Sequence, residues 1–456
     1  MSMDINQKHK MMTEAPVERL ILKLAVPTII SMLVTSLYNM ADTFFVGRIS
    51  TQATAAVGVS FSIMALIQAV GFFFGQGSGN FISRSLGAQN FEQTKKMAAT
   101  GLVYAFMTGV VFMAVCIAFL EPICKLLGAT PTIIDDTVAY IRIILIGAPF
   151  MMSSMVLNNQ LRFQGSAVYS MVGLCCGAVI NVALDPLLIF VFDMGVAGAA
   201  IATTTSQIIS FIVLCIGTRQ KSNVRIELKN FSLDPFYIKE IARCGTPSLC
   251  RQGLSSIATI SINFIAGIYG DAAIAAMSVV QRIVMFIFSA LIGFGQGFQP
   301  VCGFNYGAKK YTRVLKAFYF LVKVSAVVLS CAAVVGFIYA PQIVAFFRDD
   351  AEVIKIGALA FRANCISLPL LCITLNASMI LQNIGKAVPA TILGSARGGW
   401  VFIPVLFGAT AVFGLFGLQI TQMVADIIAT VIAVPFIISM IKELNNKQKE
   451  VAVKDA

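Results

Sequence analysis

The sequence predicts an all-α integral membrane protein of twelve transmembrane helices, arranged as two six-helix bundles related by a parallel repeat. Three observations carry this expectation. Hydrophobic residues make up 58% of the 456 residues and charged residues 12%, against about 45–50% and about 25% in ordinary soluble domains. Twelve apolar stretches follow one another, each long enough to supply the roughly 20 residues that cross a bilayer. Gly75-Gln76-Gly77 returns as Gly295-Gln296-Gly297, an offset of 295 − 75 = 220 residues. The same offset pairs Pro27 with Pro247, Gly87-Ala88 with Gly307-Ala308, Pro149 with Pro369 and Gly165 with Gly385, and slips by one to pair Gly198 with Gly417.

The elements follow in order. Residues 1–19 are polar and mixed in charge, with Lys8, Lys10, Glu14 and Glu18, and lack the apolar core and small-residue cleavage site of a removable signal peptide. The first stretch, 22–46, is therefore expected to remain as a helix. Stretches at 54–81, 98–120, 134–157, 167–191 and 195–217 complete a first bundle, residues 1–217. Residues 218–240, with Arg219, Lys221, Arg225, Lys229 and Lys239, form the only long connector and the expected cytoplasmic linker. Stretches at 241–268, 273–300, 314–340, 353–380, 388–412 and 415–441 form a second bundle, residues 241–456, with a short cytoplasmic tail. Pro27, Pro149, Pro186, Pro247, Pro369 and Pro404 fall inside stretches, which a membrane bundle tolerates for packing or bending.

Alternate connectors differ in charge. Those after stretches 2, 6 and 8 carry Lys95 and Lys96, the central basic group, and Lys309, Lys310, Arg313 and Lys316. Those after stretches 3, 5, 7 and 9 carry Asp135-Asp136, Asp193, Asp271, and Asp349-Asp350 with Glu352, opposed only by Lys125, Arg348 and Lys355. Lys and Arg are retained on the cytoplasmic side, so the basic set is expected inside and both termini with it. Because six is even, the second bundle enters the membrane in the same sense as the first, which excludes an inverted repeat. The net charge of +12 then reflects this bias, and no nucleic-acid partner is expected. Eleven Cys are scattered without a CxxC pair and read as small buried residues. The only His is His9, in the tail, which excludes a histidine metal site or proton relay.

Two acids interrupt apolar stretches: Asp42 in the first and Asp185 in the fifth, within Asn181-Val182-Ala183-Leu184-Asp185-Pro186. A carboxylate at such depth costs several kcal/mol unless paired, solvated or protonated. Both stretches run outward, and at about 1.5 Å per residue both acids fall about 9–12 Å below their outer ends. Asn181 lies one turn from Asp185, and Thr203 reaches the same level from the sixth stretch. Carboxylates, an amide oxygen and a hydroxyl form a hard-oxygen set suited to Na⁺ or a shared proton and unsuited to a soft transition metal. The expected cation site is therefore Asp42, Asn181, Asp185 and Thr203.

The repeat does not copy it. Adding 220 to Asp42 and Asp185 gives Ile262 and Val405, and the second half instead carries Arg251, Gln252, Asn263, Gln281, Arg282, Arg397 and Asp426. Arg282 and Asp426 are expected either to pair structurally or to contact substrate. Met277, Met285, Phe286, Phe288, Phe294 and Phe298 lie around the expected path. Such soft side chains suit variable lipophilic ligands, although core packing explains most of them. Tyr38, Asn39, Gln281, Arg282, Met285 and Asp426 are the candidate substrate-path residues.

These features resemble the multidrug and toxic compound extrusion (MATE) family over nearly the whole chain. The resemblance rests on the two bundles, Asp42-Thr43-Phe44-Phe45-Val46-Gly47, the Gly75-Gln76-Gly77 region with Gly87-Ala88 after it, and Asn181-x-x-x-Asp185-Pro186. It is to the prokaryotic branch whose cation site lies in the first bundle, with Asp42, Asn181, Asp185 and Thr203 as its members. The resemblance implies a V-shaped pair of bundles that alternates in access. It implies export of lipophilic, often cationic organic compounds in exchange for H⁺ or Na⁺, without cofactor or catalysis, by a monomer in the plasma or inner membrane. A flippase for lipid-linked oligosaccharide or another amphiphile is the alternative. It would need Arg251, Arg282 and Arg397 around a pyrophosphate, and the paired acids argue against it. Sugar carriers with six plus six helices usually have a Gly-Arg-Arg loop after the second helix, which Ser83-Arg84-Ser85-Leu86-Gly87-Ala88 lacks. A scaffold without transport would leave the acids unexplained.

Overall fold

A computed structural model describes residues 5–221 and 224–455. Short α1 (Ile5–Glu14) leads into the first bundle: α2 (Val17–Gly47), α3 (Thr51–Gly87), α4 (Phe91–Ala118), short α5 (Leu120–Leu126), α6 (Ile134–Phe163), α7 (Ala167–Pro186) and α8 (Gly195–Lys221). The second bundle comprises α9 (Pro235–Ile268), α10 (Asp271–Gly307), α11 (Tyr311–Ile338), short α12 (Ala340–Phe347), α13 (Ala351–Asn383), α14 (Ala387–Ala396), α15 (Phe402–Phe413) and α16 (Leu415–Asp455). Ten described helices are long and apolar enough to span a membrane. The more polar α9 and the broken pair α14–α15 complete the twelve crossings.

The helix starts are written locally. Ser50 and Asn90 accept from the amides of Ala53 and Gln93, and Asp350 from those of Glu352 and Val353, satisfying donors that a helix leaves unpaired at its first turn. Asp234 caps α9 ahead of Pro235, whose missing amide hydrogen costs nothing at a first helical position. The turns repeat as well. Gln89 and Lys309, 220 apart, both adopt φ 58°, and Gly165 and Gly385 adopt φ 77° and 83°, a left-handed conformation that glycine reaches without steric cost. Short α5 and α12 begin at Leu120 and Ala340, again 340 − 120 = 220 apart.

Two expectations needed adjustment. The eleventh stretch, 388–412, is not one helix: the chain unwinds over Arg397-Gly398-Gly399-Trp400-Val401, where paired glycines weaken helical continuity. The long connector is shorter than 218–240, because α8 runs to Lys221 and α9 starts at Pro235. Its described part, residues 224–234, is held on the first bundle. Val224 donates its amide to Gln164 (3.1 Å), Ser232 to Thr100 (3.2 Å), and Phe231 stacks edge-on against Tyr104.

The bundles meet through α2 and α3 of the first and α9 and α10 of the second. Their seam is built on glycine. A methyl group on Gly77 would overlap the Ile241 carbonyl, one on Gly245 the Phe73 carbonyl, and one on Gly293 would stand 2.6 Å from the Ile29 Cα. Gly87 meets Phe304 while Gly307 meets Arg84, and 307 − 87 equals 304 − 84, so the repeat is reciprocal at the seam. Small residues let backbones approach where lipid removes the hydrophobic drive between helices. Among the described residues, these glycine contacts and the hydrogen bonds between bundles reach no further toward the acidic connectors than the 2.9 Å pair Ser36–Ser289. The apolar core divides in the same way. At the basic-loop end a single cluster joins the bundles through Leu20, Phe74, Ile241 and Phe298. At the acidic-loop end there are two, one around Val46, Ile67 and Ile144 and one around Ile265, Met277 and Phe361. The molecule is closed at its basic-loop end and split at the other.

Candidate functional site

Helices α2, α7 and α8 pack around the acids, in the split half of the molecule. On α7, Asn181 and Asp185 stand one turn apart and so share a face. Pro186, lacking an amide hydrogen, leaves the Val182 carbonyl without its helical donor. The chain continues as one π-helical turn over Leu187–Val191, a distortion often found at functional sites.

Asn181 and Asp185 are fully buried and Thr203 nearly so. The Asn181 amide nitrogen lies 3.4 Å from both Asp185 Oδ1 and Thr203 Oγ1, long enough that neither hydrogen bond is strong. Asn181 Oδ1 and Asp185 Oδ2 have no partner. Asp42, on α2, is half-buried, with its Oδ1 sealed and unpartnered, and α2 packs against α7. Tyr38, one turn earlier on α2, is half-buried. No ion pair among the described residues involves either acid.

Sequence reasoning missed two parts of this region. Tyr140 of α6 is fully buried, with its hydroxyl 3.8 Å from the Met64 sulfur. Its signal was a lone phenol in an apolar stretch, too common to single out. At the seam, fully buried Arg162 donates to the Gln296 carbonyl (2.9 Å), Gln299 Oε1 (2.7 Å) and Asn159 Oδ1 (2.5 Å), while Gln299 donates to Gln76 (3.3 Å). Both glutamines of the duplicated Gly-Gln-Gly motif thus belong to one polar network across the bundles. The repeated motif was its signal.

The other path candidates are dispersed. Asn39 is half-buried, and its carbonyl accepts from Thr43 (2.9 Å). Gln281 is half-buried with Nε2 unpartnered, and Met285 is exposed. Arg282 does not pair with Asp426, one of the two expected alternatives, and is exposed. Asp426 accepts from Arg397 (3.1 Å), Gln422 (2.8 Å) and Ser367 (3.2 Å). The break between α14 and α15 explains the exchange: unwinding at Arg397 turns its side chain onto Asp426 of α16, and its guanidinium also stacks 4.7 Å over Phe288 of α10.

A model of the family described as MatE matches residues 27–187 and 247–407, two segments 247 − 27 = 220 apart. The chain belongs to the MatE family. It is a multi-pass membrane transporter, not an enzyme. The multidrug export protein MepA of Staphylococcus saprophyticus is 28% identical over 412 residues, covering 90% of this chain and 91% of that protein. MepA of Staphylococcus aureus is 26% identical over 417 residues, 91% and 92% of the two chains. An outward-facing multidrug resistance MATE transporter superposes with a TM-score of 0.90 at 25% identity, covering 96% of this chain and 98% of that one. A MATE transporter bound to MaL6 has the same fold, with a TM-score of 0.90 at 24% identity and coverage of 97% and 99%.

Proposed function

We propose that this MatE chain is a secondary active multidrug efflux antiporter, exporting lipophilic cationic compounds in exchange for H⁺ or Na⁺ that binds at Asp42, Asn181, Asp185 and Thr203. The observation that carries the reading is the set of three orphaned, buried oxygens: Asp42 Oδ1, Asn181 Oδ1 and Asp185 Oδ2. A buried polar atom without a partner needs an explanation, and a carboxylate needs the strongest one. A proton or a small hard cation supplies it. Thr203 Oγ1 adds a fourth ligand, and the loose 3.4 Å contacts leave Asn181 free to turn its oxygen inward. The MepA relatives, named as multidrug export proteins, support the substrate class.

The mechanism follows from charge. With the ion absent, Asp42 and Asp185 favour the split, hydrated form of the site and attract a lipophilic cation. With the ion bound, both acids lose their desolvation penalty, α2 can close on α7, and the drug loses its counter-charge. One positive charge moving inward through 100 mV contributes about 2.3 kcal/mol. By the positive-inside rule the closed, basic-loop end is cytoplasmic, as are both termini, and the transporter acts as a monomer in the plasma or inner membrane. The flippase alternative loses one of its arginines, because Arg397 is neutralised by Asp426.

The test is efflux from proteoliposomes with a pH gradient and a Na⁺ gradient imposed separately. The gradient that drives it names the ion. Asp42→Asn and Asp185→Asn are each expected to abolish driven efflux of a fluorescent organic cation; normal efflux by both would reject the mechanism.

A further inference from the structure

The second bundle carries two unpaired bases that the cation site on α2, α7 and α8 does not involve. Between α11 and α13 lies a groove of about 240 Å³, lined by Ala333, Val334, Phe337, Ile338, Cys365 and Ile366. Ala333 and Cys365 are buried, whereas Val334, Phe337, Ile338 and Ile366 are large and exposed, so the floor is small and the rims stand out. On a membrane protein such a wall faces lipid, and its apolar lining alone calls for nothing specific. Arg362 of α13 does not fit that account. It is exposed, its Nε donates to the Phe337 carbonyl (3.1 Å), and its guanidinium carbon lies 5.6 Å from the Phe337 ring. That carbonyl belongs to the last turn of α11 and has no helical donor of its own, so this one bond is structural. The two terminal nitrogens of the guanidinium make no hydrogen bond or ion pair among the described residues. Lys355, two turns earlier on α13, is likewise exposed and without an ion pair. Lys355, Leu359, Arg362 and Ile366 recur at helical spacing and are all exposed, so they form one stripe. A charged side chain on a lipid-facing wall is costly unless something polar meets it.

We propose that this stripe binds one anionic phospholipid, its phosphodiester on Arg362 and Lys355 and an acyl chain in the groove between α11 and α13. The end of α11 marks the depth. The helix has 28 residues, about 42 Å at 1.5 Å per residue, which exceeds the hydrocarbon core of about 30 Å. Arg362, bonded to its last turn, therefore stands at headgroup level. The Nε bond fixes the plane of the guanidinium and leaves its fork for phosphate oxygens, a bidentate fit. Two bases without acid partners favour a headgroup with no amine of its own over a zwitterionic one. The seated lipid bridges α11 and α13. The site is independent of the efflux reading and needs only that the chain spans a membrane.

The experiment places a reporter at the rim, Ile338→Trp, in a Trp400→Phe background that removes the chain's own single tryptophan. The full chain is reconstituted in phosphatidylcholine with brominated phosphatidylglycerol or brominated phosphatidylcholine, and quenching gives the ratio of their association constants at the groove. The ratio is expected to favour phosphatidylglycerol by about 5-fold or more, the worth of one base beside an anionic surface. Arg362→Gln should bring the ratio close to unity, and Arg362→Lys, which keeps the charge without the fork, should fall between. Because Arg362→Gln also removes a donor from the end of α11, Lys355→Gln is the second variant. It leaves that bond intact and should lower the ratio about 2-fold or more. A ratio near unity with both bases present overturns the proposal, as does a ratio that either neutral variant leaves undiminished. Val412→Trp, exposed at the acidic-loop end of α15, replaces the reporter as a control. An equal preference there means general enrichment of anionic lipid around the protein and overturns the local site.

Discussion

Asp185 is fully buried with one oxygen unpaired, and its nearest donor, Asn181, divides itself between Asp185 and Thr203 at 3.4 Å each. Under the proposed function, this loosely satisfied site is held for the driving ion. Thr203→Val keeps the shape and removes one ligand, so the half-saturating concentration of the driving ion should rise about 3- to 10-fold, the worth of one net hydrogen bond. Ion titration of efflux at fixed drug checks this, and an unchanged curve removes Thr203 from the site. These four residues were legible because polar atoms inside apolar stretches are conspicuous and costly. Arg162 was not: the run Asn158-Asn159-Gln160 ends the apolar stretch at 157, whereas α6 continues to Phe163 within protein rather than lipid. Likewise, nothing in Arg397 or Arg282 taken singly says which one meets Asp426; the Gly398-Gly399 break decides it.

At the scale of elements, α1 has a role that its polar sequence did not disclose. It lies across the closed end and touches both bundles. Lys8 donates to Ser166 (2.6 Å) and the His9 ring contacts the Gly87 carbonyl (3.0 Å) on the first. On the second, Asn305 donates to the Met12 carbonyl (3.0 Å), Lys310 to that of Thr13 (3.2 Å) and Arg313 to that of Ala15 (2.6 Å). Met12 and Thr13 are fully buried. Burial lowers the Lys8 pKa from 10.5 to about 8. Between those values detached α1 keeps a proton that docked α1 releases, so docking strengthens as pH rises through that window and is flat below it. Limited proteolysis within residues 1–15 should therefore slow from pH 7.5 to pH 10, and Lys8→Met should remove the slope. A truncation beginning at Pro16 should weaken the closed end without removing either bundle.

At the scale of the molecule, twelve crossings and two bundles were legible because composition and the 220-residue offset repeat at every level, down to paired left-handed turns. The asymmetry between the two ends was not legible, since it depends on which helices cross and how closely. Gly77 is the position to test. Gly77→Ala presses a methyl group on the Ile241 carbonyl, an overpacking of about 1–3 kcal/mol, and should shift the population toward an opened seam. Cys244, fully buried beside Arg84 with its carbonyl held by Gln382, is a native reporter. Maleimide should modify it several-fold faster in Gly77→Ala, and an unchanged rate would mean that the seam absorbs the methyl group without opening.

The split core at the acidic-loop end also sets what the protein does when idle. Joining those two clusters would draw half-buried Asp42 further from water while it is still charged and beside buried Asp185, at a cost of several kcal/mol. Under the proposed antiport, the molecule without its ion would therefore wait ajar on that side, its basic-loop end shut by the glycine seam, and would spend no gradient until there is a gradient to spend.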